Sequence, residues 1–331
     1  MREPIKVFLV LGICYLLNTP VFANLNFETA KARTISKSEM ITAPCKKRSK
    51  YCKGEASFKD GSTYKGEFRY GDPHGNGVYT WPDGETYEGN FMSGLRHGKG
   101  RHVYNNKDVY DGEWEFGMMH GKGTYSWNRG DKYTGGFVEG LMQGKGKIIL
   151  DNGEVYEGEW KNGLADGKGT YTRIDGSKYM GKSKKGERHG SGRIVWKTGD
   201  YFIGKWKKGR INKTGTFHYN NGDQYISIWD NGEMSGEATY IFEDGKEIKG
   251  NLKDVENGVF NDEERMEEIM PNLGLTWYAI AIEYKNAEKY DMAMENLKMA
   301  QKYVPASSDL NQLIHHQKEI VQKKLDEIEG L

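Results

Sequence analysis

The chain is 331 residues long, 36% hydrophobic and 12% aromatic, with 44 glycines and a formal net charge of +1. Glycine stands at about twice its usual share of roughly 7%, yet the aromatic content excludes a disordered chain, and the lack of a three-residue glycine period excludes collagen. Bulk charge selects no partner, but its distribution is uneven: residues 1–50 carry nine Lys or Arg against three acids, and residues 261–331 carry eight against 14.

Residues 1–23 read as a signal peptide. Arg2 and Lys6 precede the apolar run from Val7 to Leu17, and Val21-Phe22-Ala23 supplies a cleavage site after Ala23. The run is shorter than the ~20 residues a spanning helix needs; an uncleaved signal anchor is the alternative. The expected location is therefore periplasmic, secreted or cell-surface. Export leaves Cys45 and Cys52 in the mature chain. In an oxidising compartment such a pair invites a disulfide, with free thiols as the alternative. Residues 24–53 lack apolar periodicity and read as a flexible lead-in.

A tyrosine-led block then recurs every 23 residues, at Tyr64, Tyr87, Tyr110, Tyr133, Tyr156, Tyr179, Phe202, Tyr225 and Ile248. Glycine follows two positions on, except at Ser227, and a bulky residue four positions on, including Phe68, Trp114, Trp160, Trp206 and Trp229, except at Ser183. A fixed period marks a stack of small units across residues 54–258. Each unit carries two alternating stretches, as in Tyr64, Gly66, Phe68 and then Gly77, Tyr79, Trp81, so each is expected to be a β-hairpin. Asp60-Gly61, Asp83-Gly84 and Asn152-Gly153 are the dipeptides of tight hairpin turns with positive φ. The predicted fold is mainly β: a single twisted antiparallel sheet of stacked hairpins, followed by a small α-helical bundle.

The order Tyr156-Glu157-Gly158-Glu159-Trp160 through Gly163, Gly167 and Gly169 resembles the MORN (membrane occupation and recognition nexus) repeat. The resemblance covers about 200 residues, and the last units decay: Lys213 and Ala238 replace glycines, Ile248 and Leu252 aromatics. Over residues 259–331 glycine gives way to helical spacing. Trp277, Ile280, Ala281, Tyr284, Ala293, Leu297, Ala300 and Pro305 resemble a single tetratricopeptide (TPR) unit. A short acidic helix is expected at 262–270, before Pro271. A third helix is expected to bury Leu310, Leu313, Ile314, Ile320, Val321, Leu325 and Ile328. One TPR unit cannot bury its own faces, so the bundle is expected to dock on its neighbours, on the last strand of the array, or on a second chain.

No catalytic, cofactor or metal constellation emerges. His74, His97, His120 and His189 share a phase, but successive hairpins advance the sheet by roughly 10 Å, too far for ligands that must lie near ~2 Å from one ion. No nucleophile elbow, phosphate loop or zincin helix is present. Residues 178–213 carry twelve basic residues against Glu187 and Asp200. Lys182, Lys184, Lys185, Arg188, Lys205, Lys207, Lys208 and Arg210 form a candidate anionic-ligand patch, with a solvated polar face as its plain reading. The file of rings is expected to form the core of the sheet. Both resemblances imply protein partners, self-association among them. The expected function is an exported, non-enzymatic scaffold or protein-binding repeat protein without cofactors. The alternative is a peripheral binder of anionic membrane lipids, and nucleic acid is not expected.

Overall fold

The computed structural model describes residues 40–41, 50–251, 263–286, 288–304, 306 and 308–329. The signal peptide, most of the lead-in, Cys45 and Pro305 lie outside them. Among the described residues twenty strands precede three helices, in the expected fold class: an open antiparallel sheet of hairpin repeats followed by helices. The chain divides into two compact units, one ending at Ile174 and the other beginning at Asp175.

The first unit holds eleven strands, from Tyr51–Ser57 to Leu164–Thr172. Each pairs antiparallel with the next, and the register places glycine opposite glycine: Gly66 faces Gly77, and Gly77 faces Gly89. The row recurs at Gly112, Gly123 and Gly135. The reason lies above it, where the ring of each leading tyrosine lies flat over two facing glycines. A Cβ at Gly112 or Gly123 would stand closer than 3.0 Å to the Tyr110 hydroxyl. That hydroxyl is tethered in turn, since Tyr110 Oη donates to the carbonyl of Glu113 at 2.8 Å and Tyr64 Oη to that of Glu67 at 2.8 Å. Tyr64, Tyr87, Tyr110 and Tyr133 each also meet two other rings edge-on: Tyr110 lies 5.0 Å from Trp114 and 5.1 Å from Phe137 of the following repeat. Tyr64, Tyr87, Tyr110, Tyr133 and Tyr156 are all buried. One layer of sheet thus makes its own core, by interlocking rings over a floor without side chains.

The tight turns are not at the Asp-Gly and Asn-Gly dipeptides expected to form them but at the other connection of each hairpin. A tight two-residue turn of the mirror-image type needs positive φ at both central residues. Those turns occur at Tyr70-Gly71 (φ 52° and 89°), Ser93-Gly94, Phe116-Gly117 and their equivalents, where the first residue is not glycine. At Asp60-Gly61 only the glycine has positive φ. There Phe58 N–H donates to the Ser62 carbonyl at 2.9 Å, and the Asp60 carboxylate accepts from Ser62 N at 2.9 Å. An aspartate that bonds the backbone two residues on stabilises this wider loop.

The second unit contains the strands from Lys178–Lys184 to Glu247–Asn251 and three helices, α1 (Glu263–Asn286), α2 (Tyr290–Lys302) and α3 (Asp309–Glu329). Where Lys213 replaces the repeat glycine it still takes φ 67°, and the strand is interrupted there, between Arg210–Ile211 and Lys213–His218. The short helix expected before Pro271 is not separate: α1 runs through that position. Ile269, Leu273, Trp277, Ile280 and Tyr284 are buried at helical spacing, one continuous stripe that holds both halves on the same surface. In α3, Ile314 and Val321 are buried, whereas Leu313 (49%) and Ile328 (56%) are exposed.

Candidate functional site

Among the units led by Tyr64 to Tyr225, that of Tyr179 alone lacks a ring four positions on, and the helices engage it. Ser183 is buried, and in place of a neighbouring aromatic the guanidinium of Arg188 lies 4.6 Å from the centre of the Tyr179 ring. Arg188 then continues to α1, where its Nη1 donates to Glu283 Oε2 at 2.7 Å, with both side chains buried. Desolvation raises the Tyr179 hydroxyl to about 12, against the opposing pull of the Arg188 charge. The serine therefore opens a slot for a cation, and α1 carries the matching anion.

Further contacts fix α1 on this unit's repeats. Tyr219 and Thr276 share a short hydroxyl–hydroxyl hydrogen bond. Trp277 packs 6.0 Å from Trp229, Tyr284 Oη donates to the Gly232 carbonyl at 3.0 Å, and Asn272 Nδ2 reaches Tyr240 Oη at 2.7 Å. The helices thus cover the aromatic side of several hairpins, more than the last strand alone. Trp277, Ala281 and Tyr284 of α1 and Ala293 and Ala300 of α2 are buried, as the spacing of the helical resemblance implies.

The basic stretch divides between surfaces. Lys178, Lys182 and Lys184 project with Met180 from the face opposite the rings, and Lys205 and Lys207 project with Ile203 from the same face. The register places Met180, Arg193, Ile203, Thr216 and Ile226 in one row across it. Arg193 lies 4.0 Å over the Tyr201 ring, which stacks at 4.3 Å on His218. Lys185 and Lys208 occupy tight turns, and Arg210 is half-buried. Arg188, counted in the patch on sequence, is buried and bound to Glu283, so it is not available to a surface ligand. Lys289 approaches from the other side, donating to the Lys208 carbonyl at 3.2 Å. Burial lowers Lys289 to about 8; Arg210 and Arg188 push the same way and Glu187 opposes them.

One phase of the repeat escaped the sequence reading. Directly after most of the wide turns stand buried carboxylates, several of which tie one repeat to the next, with Ser62 and Ser177 at the same phase. Asp108 accepts from Tyr125 Oη at 2.9 Å and from Asn128 N at 2.8 Å. Asp131, Asp200 and Asp223 accept from the backbone amides of Asp151, Asn220 and Glu243. A polar residue beside a turn reads as solvated, and only the recurrence of acids at this phase signalled otherwise. A second buried network joins Arg96, His102 and Glu85: the guanidinium donates to His102 Nδ1 at 2.6 Å, and His102 Nε2 faces Glu85 at 3.2 Å. Of the histidines sharing a phase, His120 faces Glu115 at 3.3 Å and His97 packs on Phe116. Among the described residues no group of three His, Cys, Asp or Glu is placed to hold a metal ion. Cys52 is disulfide-bonded, and Cys45 lies outside the described residues.

Comparison with known proteins matches the MORN repeat at residues 64–86, 87–109, 110–132, 133–155, 156–178, 179–201, 202–224 and 225–247, more than half of the chain. No curated protein matches it. Among solved structures, the TCP10 domain of Danio rerio CPAP is similar at 12% identity with a TM-score of 0.38, covering 60% of this chain and 94% of that one. The TCP domain of Drosophila melanogaster SAS-4, solved with a proline-rich motif of Ana2, is similar at 15% identity with a TM-score of 0.24, covering 60% and 89%. Scores this low carry no argument about fold or function. The eight consecutive matches, in register with the tyrosine over its glycine pair, make the chain a member of the MORN repeat family.

Proposed function

We propose that this protein is an exported, non-enzymatic scaffold whose repeat frame holds a helical cap in place for protein partners. The observation that carries the reading is the Arg188–Glu283 pair, buried between a repeat and α1, because it fixes a helix pair on a frame of MORN repeats. The disulfide at Cys52 supports an oxidising compartment. Affinity capture with the full mature chain, joined to light scattering, tests the binding role. A specific partner or a defined oligomer is expected; a chain that stays monomeric and retains nothing would end the scaffold reading. Fusing residues 1–30 to a reporter active only outside the cytoplasm tests export, and an inactive fusion would remove it.

A second reading, binding to anionic lipid surfaces, is favoured by the face where exposed Met180, Ile203 and Ile228 stand among lysines. Apolar side chains within a basic surface suit an interface of anionic headgroups. Flotation with phosphatidylserine vesicles is expected to fail for K182E/K184E/K205E/K207E; flotation equal to wild type would discard this reading.

A further inference from the structure

Within the second unit, a cavity of about 330 Å³ opens between the Gly232-Glu233-Met234 turn and the helices. Trp277 of α1 and Asp291, Met292, Glu295, Asn296 and Met299 of α2 complete its lining. The apolar part consists of three methionines and an indole, polarizable groups that adapt to an aliphatic chain. The charged part is of one sign: Glu233, Asp291 and Glu295, with no Lys or Arg in the lining. Glu295 pairs with Lys298 at 2.7 Å; Glu233 and Asp291 have no ion-pair partner among the described residues. Asn296, 6% exposed, supplies an independent observation. Its Nδ2 donates to the Met292 carbonyl at 2.6 Å, while its Oδ1 is buried with no hydrogen-bond partner. A buried acceptor left unmatched is costly, and every charged group beside it is also an acceptor.

We infer that this cavity receives a lysine or arginine side chain of a partner protein, its aliphatic stem against Met234, Met292 and Met299 and its cationic end toward Glu233 and Asp291. An apolar stem with a donor-only head complements a lining of thioethers, an indole and acceptors. The inference rests on the protein-binding reading and assigns it a chemistry.

The full mature chain, labelled with ¹³C at its methionine methyls, is titrated with a capped Leu-Lys-Leu tripeptide, with its Leu-norleucine-Leu counterpart and with Leu-Glu-Leu. The lysine peptide is expected to shift the resonances of Met234, Met292 and Met299 saturably, and the norleucine peptide to bind at least tenfold more weakly. Glu233→Gln with Asp291→Asn, both at exposed positions, is expected to weaken the lysine peptide about tenfold and to leave the norleucine peptide unchanged. Absence of a saturable shift, equal binding of lysine and norleucine, or preference for the glutamate peptide would overturn the inference. If the lysine peptide fails while partners are still captured, the pocket assignment falls and the scaffold reading stands; if both fail, both fall.

Discussion

At Gly123 a single methyl group decides whether a tyrosine can lie across the sheet. Gly123→Ala would set a Cβ within 3.0 Å of the Tyr110 ring, which is held from its far end by the bond to Glu113. Forcing atoms into a filled site costs about 1–3 kcal/mol, so the variant is expected to lose that much stability in urea denaturation. Lys289 makes a different test. Its amine falls to about 8 on folding from the ordinary value of 10.5, so below about pH 8 the folded state bears the full cost of a partly desolvated charge. Between about 8 and 10.5 the unfolded chain holds more protons, and stability from this group rises with pH. Lys289→Met should therefore raise the melting temperature at pH 7, and its advantage over wild type should shrink as pH is raised to 10. A gap that stays constant with pH would show that Lys289 carries no such cost.

At the scale of elements, the link between repeat and helix rests on a buried ion pair. Removing one partner strands the other charge, at a cost of about 3–5 kcal/mol, whereas replacing both with apolar residues of similar size is often neutral or stabilising. Arg188→Met alone is expected to destabilise the second unit by about that amount in urea denaturation, and Arg188→Met with Glu283→Leu to recover most of it. This contact also shows what a sequence conceals. Ser183 is legible as a break in rhythm, but the charge that fills the gap comes from five residues on and its partner from a position 95 residues away, and no periodicity links them. The turns teach the same lesson at shorter range. Asp-Gly announces a turn correctly, yet its aspartate bonds its own loop and so selects the wider form. The tight form falls to pairs such as Phe116-Gly117, whose first residue advertises nothing. By contrast, hairpin count, glycine register and the buried file of rings follow from the 23-residue interval, because a period imposes the same neighbours on every copy.

At the scale of the whole molecule, the helices act on the second unit as its cover. Trp229, Tyr219 and Tyr240 are all buried, and each touches α1. A chain ending at Asn251 should uncover them, lowering the melting temperature and gaining fluorescence from an apolar dye such as ANS; an unchanged melt without dye binding would show that the cover is dispensable. The alternatives open in the sequence narrowed here for a physical reason: a lone helix pair needs a surface, and the slot at Ser183 selects which one.

The buried carboxylates carry a consequence for how such a chain can grow. Each acid belongs to one repeat and the amide it holds to the next: Asp108 to Asn128, Asp131 to Asp151, Asp200 to Asn220, Asp223 to Glu243. The bonds all point the same way along the chain, so the repeats have a head and a tail. At the next equivalent position stands Lys246, which has no carboxylate to offer. A copy duplicated in the interior arrives with both halves of the joint and changes the number of repeats without inventing a contact. Ser177 stands at the same phase without a carboxylate, yet the repeat led by Tyr179 follows it, so the joint directs the stack without being needed at every step.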